Sequence, residues 1–417
     1  MSEESSTLPP SSGGNGFART FRSVRVRNFR LFLFGMLLSG VGSWIGFVAG
    51  PLLVLQLTDS GVMLGLDAAL GALPVLLFGP WGGVIADRFD NRLAQIWTQV
   101  AYCILTLLLW GLVVTDVVEV WMVLTISFLL GVAFAMDMPV RQSFYLEMVG
   151  PDDLTNAMSL NTATFTGTRI IGPVIAGLII GVWGLAPAFL IDGLSYLAVI
   201  AALLAMRVSE LRPRQKVARA TGQVRAGMRY VWRTLDLKRP MMLMLIVFLF
   251  AYNFSVFLPL MALREFGGDA GTFGKMLAVF GVGSLAGALV MASRSSVASF
   301  PRMVALAGAV GGFSILLAVA PGEAAAFLVL PLLGAAYIAF PIAGNSTLQL
   351  TSADEMRGRV MSLYTVVFLG STPIGGPIAG VVGEHLSPRV GLAGGGVIAL
   401  LAAAGAALAL RSAGEDQ

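Results

Sequence analysis

Residues 172–177 read Gly-Pro-Val-Ile-Ala-Gly, and residues 376–380 read Gly-Pro-Ile-Ala-Gly. The likeness extends towards the N-terminus of each copy, where residues 158–160 and residues 361–363 both read Met-Ser-Leu. The order is the same in both places, and the separation is about half of the 417-residue chain. We therefore interpret the chain as a duplicated unit. In a chain rich in apolar residues, such a duplication favours a device that tilts one half against the other.

The composition indicates a membrane protein. The chain is 57% hydrophobic and 12% charged, with a mean hydropathy of +0.84, whereas a soluble protein carries about 25% charged residues. Twelve continuous apolar runs are each long enough to cross a bilayer as a helix of about 20 residues, and their continuity argues against a β-barrel. We predict an all-α membrane protein with twelve transmembrane helices in two pseudo-symmetric six-helix bundles. The predicted spans are 30–56, 62–86, 93–115, 119–139, 157–182, 187–206, 241–262, 273–292, 302–320, 324–346, 360–382 and 391–410.

Basic residues are concentrated on one side of this topology. An even number of spans places both termini and the linker between the halves on the same side. Residues 19–30 and 207–240 are rich in arginine, whereas the opposite side has only Arg264, Lys275 and Arg389. The positive-inside rule then predicts cytoplasmic termini in the inner (plasma) membrane of a bacterium. The formal net charge of +4 indicates contact with anionic lipids rather than with nucleic acid.

Residues for redox, metal or nucleotide chemistry are scarce. Cys103 is the single cysteine and His385 the single histidine, so we expect neither a disulfide framework nor a metal site. The loops are too short for a soluble catalytic domain. The pair Gly274-Lys275 lacks the upstream glycine and the following Ser or Thr of a phosphate-binding loop. We therefore expect no enzyme activity and no cofactor.

The segments outside the bundles differ in character. The first 16 residues are Ser, Gly, Pro and Glu rich and are expected to be disordered. Residues 224–232 of the linker have apolar side chains on one face and arginines on the other, which predicts a short amphipathic helix on the membrane surface. The predicted division is 1–29 (disordered, then basic), 30–206 (first bundle), 207–240 (basic linker), 241–411 (second bundle) and 412–417 (tail).

The loop after the second span, residues 83–92, reads Gly-Val-Ile-Ala-Asp-Arg-Phe-Asp-Asn-Arg. It resembles the signature that the major facilitator superfamily carries between spans two and three, with departures at Asp90 and Asn91. Twelve spans, two halves and a long basic middle linker extend the resemblance over residues 17–411. Gly83 at the start of the loop permits close approach of two helices.

The resemblance implies a charged latch at this end of the bundles. Its members in this sequence are Asp87, Arg88 and Arg92, with Gly83 at the helix contact. In facilitator-type exporters an acid near the inner end of span four joins the latch. We therefore expect Asp137 to pair with Arg88 or Arg92.

The fifth span carries a second motif. Residues 167–173 read Gly-Thr-Arg-Ile-Ile-Gly-Pro and look like the antiporter motif of facilitator-type exporters, in which glycine and proline bend the helix and permit tight packing. With the segments at 151–157 and 225–230, the chain resembles the branch that contains the enterobactin exporter and the macrolide efflux pumps. The residues of the motif are Gly167, Arg169, Gly172, Pro173 and Gly177.

Charged side chains inside the predicted spans each need a partner or a function. Asp67 in span two is our first candidate proton carrier, because a carboxyl group in a low dielectric can take up and release a proton as the site alternates. Asp192 near the outer end of span six is a second candidate. Arg169 lies near mid-depth of span five, where it either packs against a helix or serves coupling or an anionic substrate group.

The resemblance implies that spans one, four, seven and ten line a central cavity. The side chains they offer are mostly aromatic, with scattered polar groups and no charge. Such a cavity fits a lipophilic or amphiphilic compound better than a sugar or a phosphate. The candidates are Ser43, Trp44, Phe47, Phe128, Phe134, Tyr252, Asn253, Phe257, Tyr337, Phe340 and Asn345.

Together these features predict a secondary active transporter that exports small amphiphilic molecules by alternating access. The substrates would be drug-like, macrolide-like or siderophore-like, and a proton gradient would supply the energy. We expect a monomer surrounded by membrane lipids. A lipid or lysophospholipid flippase of the same fold is the alternative. A non-transporting membrane sensor or scaffold is a more remote one, since it would be expected to carry a sizeable domain outside the membrane.

Overall fold

The computed structural model covers most of the chain. The greater part of the N-terminal segment lies outside the described residues, and so do the surroundings of Gly83 and the side chains of Asp87 and Arg88. The backbone is described for residues 22–212, 223–293 and 299–415, and side chains for the same residues except 80–88, 223–227 and 411–415.

The described residues form helices joined by short turns. Among them, twelve segments are long and apolar enough to cross a membrane, six in each half, which confirms the predicted all-α fold. The seventh span consists of two helices, Leu235–Ala251 and Phe254–Leu260, followed by one π-helical turn, Met261–Glu265. The eleventh span also consists of two helices, Asp354–Gly370 and Thr372–His385. The helices are α1 (Arg27–Thr58), α2 (Gly61–Arg88), α3 (Asn91–Val114), α4 (Val120–Val149), α5 (Pro151–Trp183), α6 (Leu185–Leu204), α7 (Gln223–Arg233), α8 (Leu235–Ala251), α9 (Phe254–Leu260), α10 (Ala270–Ser293), α11 (Phe300–Ala318), α12 (Glu323–Thr351), α13 (Asp354–Gly370), α14 (Thr372–His385) and α15 (Pro388–Glu415).

Long apolar runs become helices because a helix pairs its backbone groups within the segment, which lipid cannot do for it. The turns between the helices are set by local sequence. Gly150 and Gly184, with φ of 76° and 82°, each form the whole connection between two helices, and glycine tolerates this left-handed region. At the start of α3, Asp90 caps the helix by accepting a hydrogen bond from the Leu93 amide at 3.0 Å.

The helix contacts repeat between the two halves. In the first half α2 packs on α4, α1 on α6, and α3 on α6. The corresponding helices of the second half pack in the same way, α10 on α12, α8 on α15, and α11 on α15. The main contacts between the halves, α2 with α14 and α5 with α10, are also equivalent under this exchange. The sequence duplication is therefore a structural duplication.

The described apolar side chains join the two halves towards one side of the molecule and form a separate cluster in each half at the other. We call the side where α6 ends and α8 begins the linker side, and the opposite side the far side. One apolar cluster towards the far side combines both halves and includes Phe189 and Phe254. On the linker side each half has its own cluster, around Phe144 in the first and Phe340 in the second.

Candidate functional site

Glycine residues bring the two halves into contact on the far side. Gly61 and Gly65 of α2 face Gly376 and Gly380 of α14, so that a methyl group added at Gly376 would lie 2.9 Å from the Gly65 carbonyl oxygen. Real side-chain carbons do not approach that closely. The second copy of the Gly-Pro motif therefore lies at a backbone-to-backbone contact between the halves.

The first copy of the motif lies at the equivalent contact between α5 and α10. A methyl group added at Gly177 would lie 3.1 Å from the α-carbon of Gly271. Gly172 faces α1 instead, where Trp44 fills the space, and Gly167 has no neighbouring atom within 4 Å of an added methyl group. The motif residues thus serve two different packing contacts, one within the first half and one between the halves.

An ion pair and hydrogen bonds between the halves reinforce the far-side closure. Arg264, which follows α9, forms an ion pair with Asp59 at 3.1 Å. Glu384 at the end of α14 accepts hydrogen bonds from the Ser60 hydroxyl at 2.5 Å and the Val62 amide at 2.8 Å. All of these bonds cross from one half to the other. The motifs in the sequence did not identify these residues, since the only signal was their charge in short loops.

On the linker side, Asp137 is the centre of a polar cluster within the first half. Its carboxylate pairs with Arg141 one turn along α4 at 2.9 Å. The same carboxylate accepts hydrogen bonds from Thr98 at 2.9 Å, from Gln99 at 3.1 Å, and from Gln95. With 2% of its side chain exposed, Asp137 is almost completely paired within the protein.

This cluster bears on one of the two pairings expected for Asp137, with Arg88 or with Arg92. Arg92 does not pair with Asp137, because its Nε donates to the Leu203 carbonyl oxygen at 2.7 Å and because Arg141 occupies the carboxylate. The side chains of Asp87 and Arg88 and the surroundings of Gly83 lie outside the described residues, so the part of these residues in the latch stays a prediction.

A cavity of about 130 Å³ lies between the halves, next to the far-side closure. Four of the predicted residues, Trp44, Phe47, Tyr252 and Tyr337, line it. Helices α5 and α10 also contribute, although the sequence analysis assigned no cavity residue to span eight. The other lining residues are Arg169, Phe254, Ser255, Leu258, Phe273, Leu277 and Phe280.

Two tyrosines join the seventh and tenth spans beside the cavity. The carbonyl of Tyr337 has no helical partner because residue 341 is a proline without an N–H group; the Tyr252 hydroxyl donates to it at 2.5 Å. The carbonyl of Tyr252 likewise lacks its usual helical partner, because the helix breaks there and the Val256 amide donates to the Asn253 carbonyl oxygen instead. The Tyr337 hydroxyl donates to it at 2.9 Å, and the two rings stack at 3.7 Å.

Arg169 is the charged member of the cavity lining, which corrects the expectation of an uncharged site. Its guanidinium group lies 5.7 Å from the centre of the Trp44 ring and 5.4 Å from that of Phe280. These distances permit cation–π attraction to both rings. Its Nε is buried and has no hydrogen-bond partner.

The remaining predicted cavity residues do not line the cavity in this conformation. Phe340 is fully buried and packs against Phe248 at 5.7 Å, while the Ser43 hydroxyl bonds to that of Tyr196. The reasons for the others are local as well. Asn253 donates to the Leu249 carbonyl, and Asn345 accepts from Gln349. Phe257 packs against Gly391. Phe128 and Phe134 belong to α4, which contributes no described residue to the lining.

The two candidate proton carriers lie inside the first half. Asp67 of α2 accepts a hydrogen bond from the Ser127 hydroxyl of α4 at 2.5 Å. Asp192 of α6 is 7% exposed, lies against Gly46 of α1, and has one carboxylate oxygen without a partner. Within the described residues, no group of three His, Cys, Asp or Glu side chains is placed to hold a metal ion.

Comparisons with known proteins agree with this architecture. The family model of transmembrane secretion effectors matches residues 18–416. The staphyloferrin A transporter of Staphylococcus aureus is 22% identical over 80% of this chain and 84% of its own. The multidrug efflux pump Tap of Mycobacterium tuberculosis is 27% identical over 85% and 88%. A bacterial homologue of the human lysosomal transporter Spinster, solved in an inward-facing and unoccupied conformation, superposes with a TM-score of 0.71 at 14% identity over 97% and 99%.

Proposed function

Because the chain belongs to the transmembrane secretion effectors of the major facilitator superfamily, and is thus a multi-pass membrane transporter and not an enzyme, we propose that it exports small amphiphilic molecules by alternating access. The observation that carries the proposal is the one-sided closure. The halves meet on the far side, whereas the described apolar residues of the linker side form a separate cluster in each half, and an aromatic cavity lies at the closed end. Relatives named for siderophore transport and multidrug efflux support this substrate range.

The orientation follows from charge. The linker side carries the basic linker, so the positive-inside rule assigns it to the cytoplasm of a bacterial inner membrane. In this orientation the structure is open to the cytoplasm and closed to the outside. A substrate enters from the cytoplasm or from the inner leaflet and reaches the cavity. We propose that the protein does this as a monomer.

The transition to the outward-facing state then breaks the bonds of Glu384 and Arg264 across the halves and separates the glycine contacts. The linker side closes in exchange. The latch of Asp87, Arg88 and Arg92 would hold that closed state, with the cluster around Asp137 supporting α4 beside it. Rigid halves suit this motion, because packed interfaces shift between discrete arrangements.

Proton antiport supplies the energy in this proposal. Asp67 is the first candidate carrier, since its carboxylate lies between α2 and α4 and α2 itself forms the far-side contact. Asp192 is the second, because its unpaired oxygen leaves room for a proton, and α1, against which it lies, carries the cavity residue Trp44. Carboxyl groups within a membrane domain commonly mark proton pathways.

The test uses proteoliposomes with an acidic interior and a fluorescent amphiphilic dye outside. We expect the wild type to accumulate dye as protons leave. Asp67→Asn should abolish accumulation while keeping dye exchange at equal pH, because it removes the proton and not the cavity. Asp116→Asn, an exposed acid in a far-side turn, is the matched control. Unchanged accumulation by Asp67→Asn would assign the proton elsewhere, with Asp192→Asn as the next variant. Accumulation by the wild type that ignores the pH gradient would refute antiport.

A further inference from the structure

The cavity carries a positive charge that the described residues do not balance. Arg169 is the one charged residue among the described lining residues, and none of them is an Asp or Glu. Its Nε is buried without an acceptor. The rings of Trp44 and Phe280 offset part of the cost of burying the charge, but rings do not accept the directional bonds that a guanidinium group offers. A buried charge with an unused donor favours a ligand of opposite charge.

The two tyrosine hydroxyl groups beside the cavity are already engaged. Tyr252 and Tyr337 donate to each other's carbonyl oxygens, so their hydroxyl protons are committed to holding the two spans together. The rest of the wall is apolar or aromatic apart from Ser255, with Phe254 and Phe280 stacked at 4.1 Å. The site therefore offers one cationic fork surrounded by flat apolar surfaces.

The volume limits what enters this end of the pathway. A cavity of about 150 Å³ holds one benzene ring, and this cavity is about 130 Å³. The two volumes are similar, so we expect room for about one ring beside Arg169. Any larger part of a substrate extends towards the linker side, where the apolar clusters of the two halves are separate.

We propose that this cavity selects organic anions whose carboxylate is attached to an aromatic ring, and that Arg169 recognises the carboxylate. A carboxylate accepts two parallel hydrogen bonds from guanidinium, and its ring then lies among the aromatic walls, where offset or edge contacts are favourable. The inference rests on the proposed export function for the direction of movement. The recognition itself is independent of coupling, and a binding measurement reaches it separately.

The experiment compares three probes of the same shape and different charge, para-butylbenzoate, para-butylbenzamide and para-butylbenzylamine, binding to the purified protein in lipid nanodiscs at neutral pH. Empty nanodiscs correct for partitioning into lipid. We expect the wild type to bind the benzoate about tenfold or more tighter than the benzamide, as for a charge-assisted pair, and the benzylamine weakest. Arg169→Gln should bring benzoate binding down to that of the benzamide. Arg169→Lys keeps the charge without the planar fork and should retain part of the preference.

Several outcomes overturn the proposal. These are no saturable binding of the benzoate by the wild type, equal binding of the three probes, or the same preference for the benzoate in Arg169→Gln. A uniform loss of all three probes in Arg169→Gln, with a lower melting temperature without ligand, would assign Arg169 to helix packing instead. Dye accumulation in proteoliposomes separates this inference from the proposed function. Export without a preference for anions would refute only the recognition of carboxylates by Arg169. Binding of anions without transport would refute only the proposed export.

Discussion

Replacing Glu384 with alanine tests whether the far-side bonds hold the observed conformation. The carboxylate of Glu384 accepts from Ser60 and from the Val62 amide, at 2.5 and 2.8 Å, across the contact between α14 and α2. Both bonds exist only while the far side is closed, since opening moves the two helices apart. The variant therefore destabilises one conformation and leaves each half intact.

The size of the effect follows from the type of bond. A hydrogen bond to a charged group contributes about 1.5–3 kcal/mol when well buried. Glu384 is only partly buried, and solvent screens such groups strongly. We therefore expect Glu384→Ala to cost the closed form about 1–2 kcal/mol in total, which changes the ratio of the two conformations by a factor of about 5–30.

The assay is the distance between spin labels on the far side. Cysteines replacing Val117 and Leu386, which are 55% and 67% exposed, place one label on each half in a Cys103→Ser background. Glu384→Ala should add a population of longer distances. The matched control is Glu119→Ala, because the bond that this exposed carboxylate makes among the described residues, to Trp121, stays within its own half. Identical distance distributions for the two variants would refute the proposal that the Glu384 bonds hold the far side closed.

Variants at two further positions test the packing inside the halves. Tyr337→Phe keeps the stacked ring but leaves the Tyr252 carbonyl without a donor, so it should lower the unfolding free energy by about 1–3 kcal/mol; denaturant unfolding in micelles measures this, and wild-type stability would show that the carbonyl has another partner. Asp137→Ala leaves the Arg141 charge unpaired and should cost about 3 kcal/mol, the lower end for a buried charge, because Arg141 keeps 23% exposure. Asp137→Asn retains an amide oxygen that accepts from Gln95, so it should lower the unfolding free energy by less. Equal losses of stability in Asp137→Ala and Asp137→Asn would show that this acceptor contributes nothing.

The spans were predictable because they depend on local properties. Each helix in lipid pairs its own backbone, so a continuous apolar run is enough to place it. The Gly-Pro repeat likewise marked positions of close contact, and the structure has Gly177 and Gly376 at the two equivalent contacts between the halves. The break at Tyr252 had no such signal, since it depends on a hydroxyl from a different span.

The cavity lining was harder to predict for a physical reason. The resemblance indicated four spans that line the cavity. Which residues line it also depends on the face that each helix turns inward and on the part of each helix that contacts its neighbour. Phe273 and Phe280 of α10 line the cavity because α10 packs against α5 on the far side. Asp137 pairs with Arg141 because a residue four positions along the same helix is always within reach. Arg92, at the start of α3, instead donates to the Leu203 carbonyl oxygen.

The sequence by itself determined the membrane environment, the twelve helices and the twofold plan, because hydrophobic length and repetition are properties of the chain alone. Tertiary structure decided that the far side is closed, that Glu384 and Arg264 cross between the halves, and that Arg169 meets a cavity rather than a carboxylate. Those outcomes depend on the rotation and tilt of packed helices, and many sequences with the same apolar pattern would place such side chains differently.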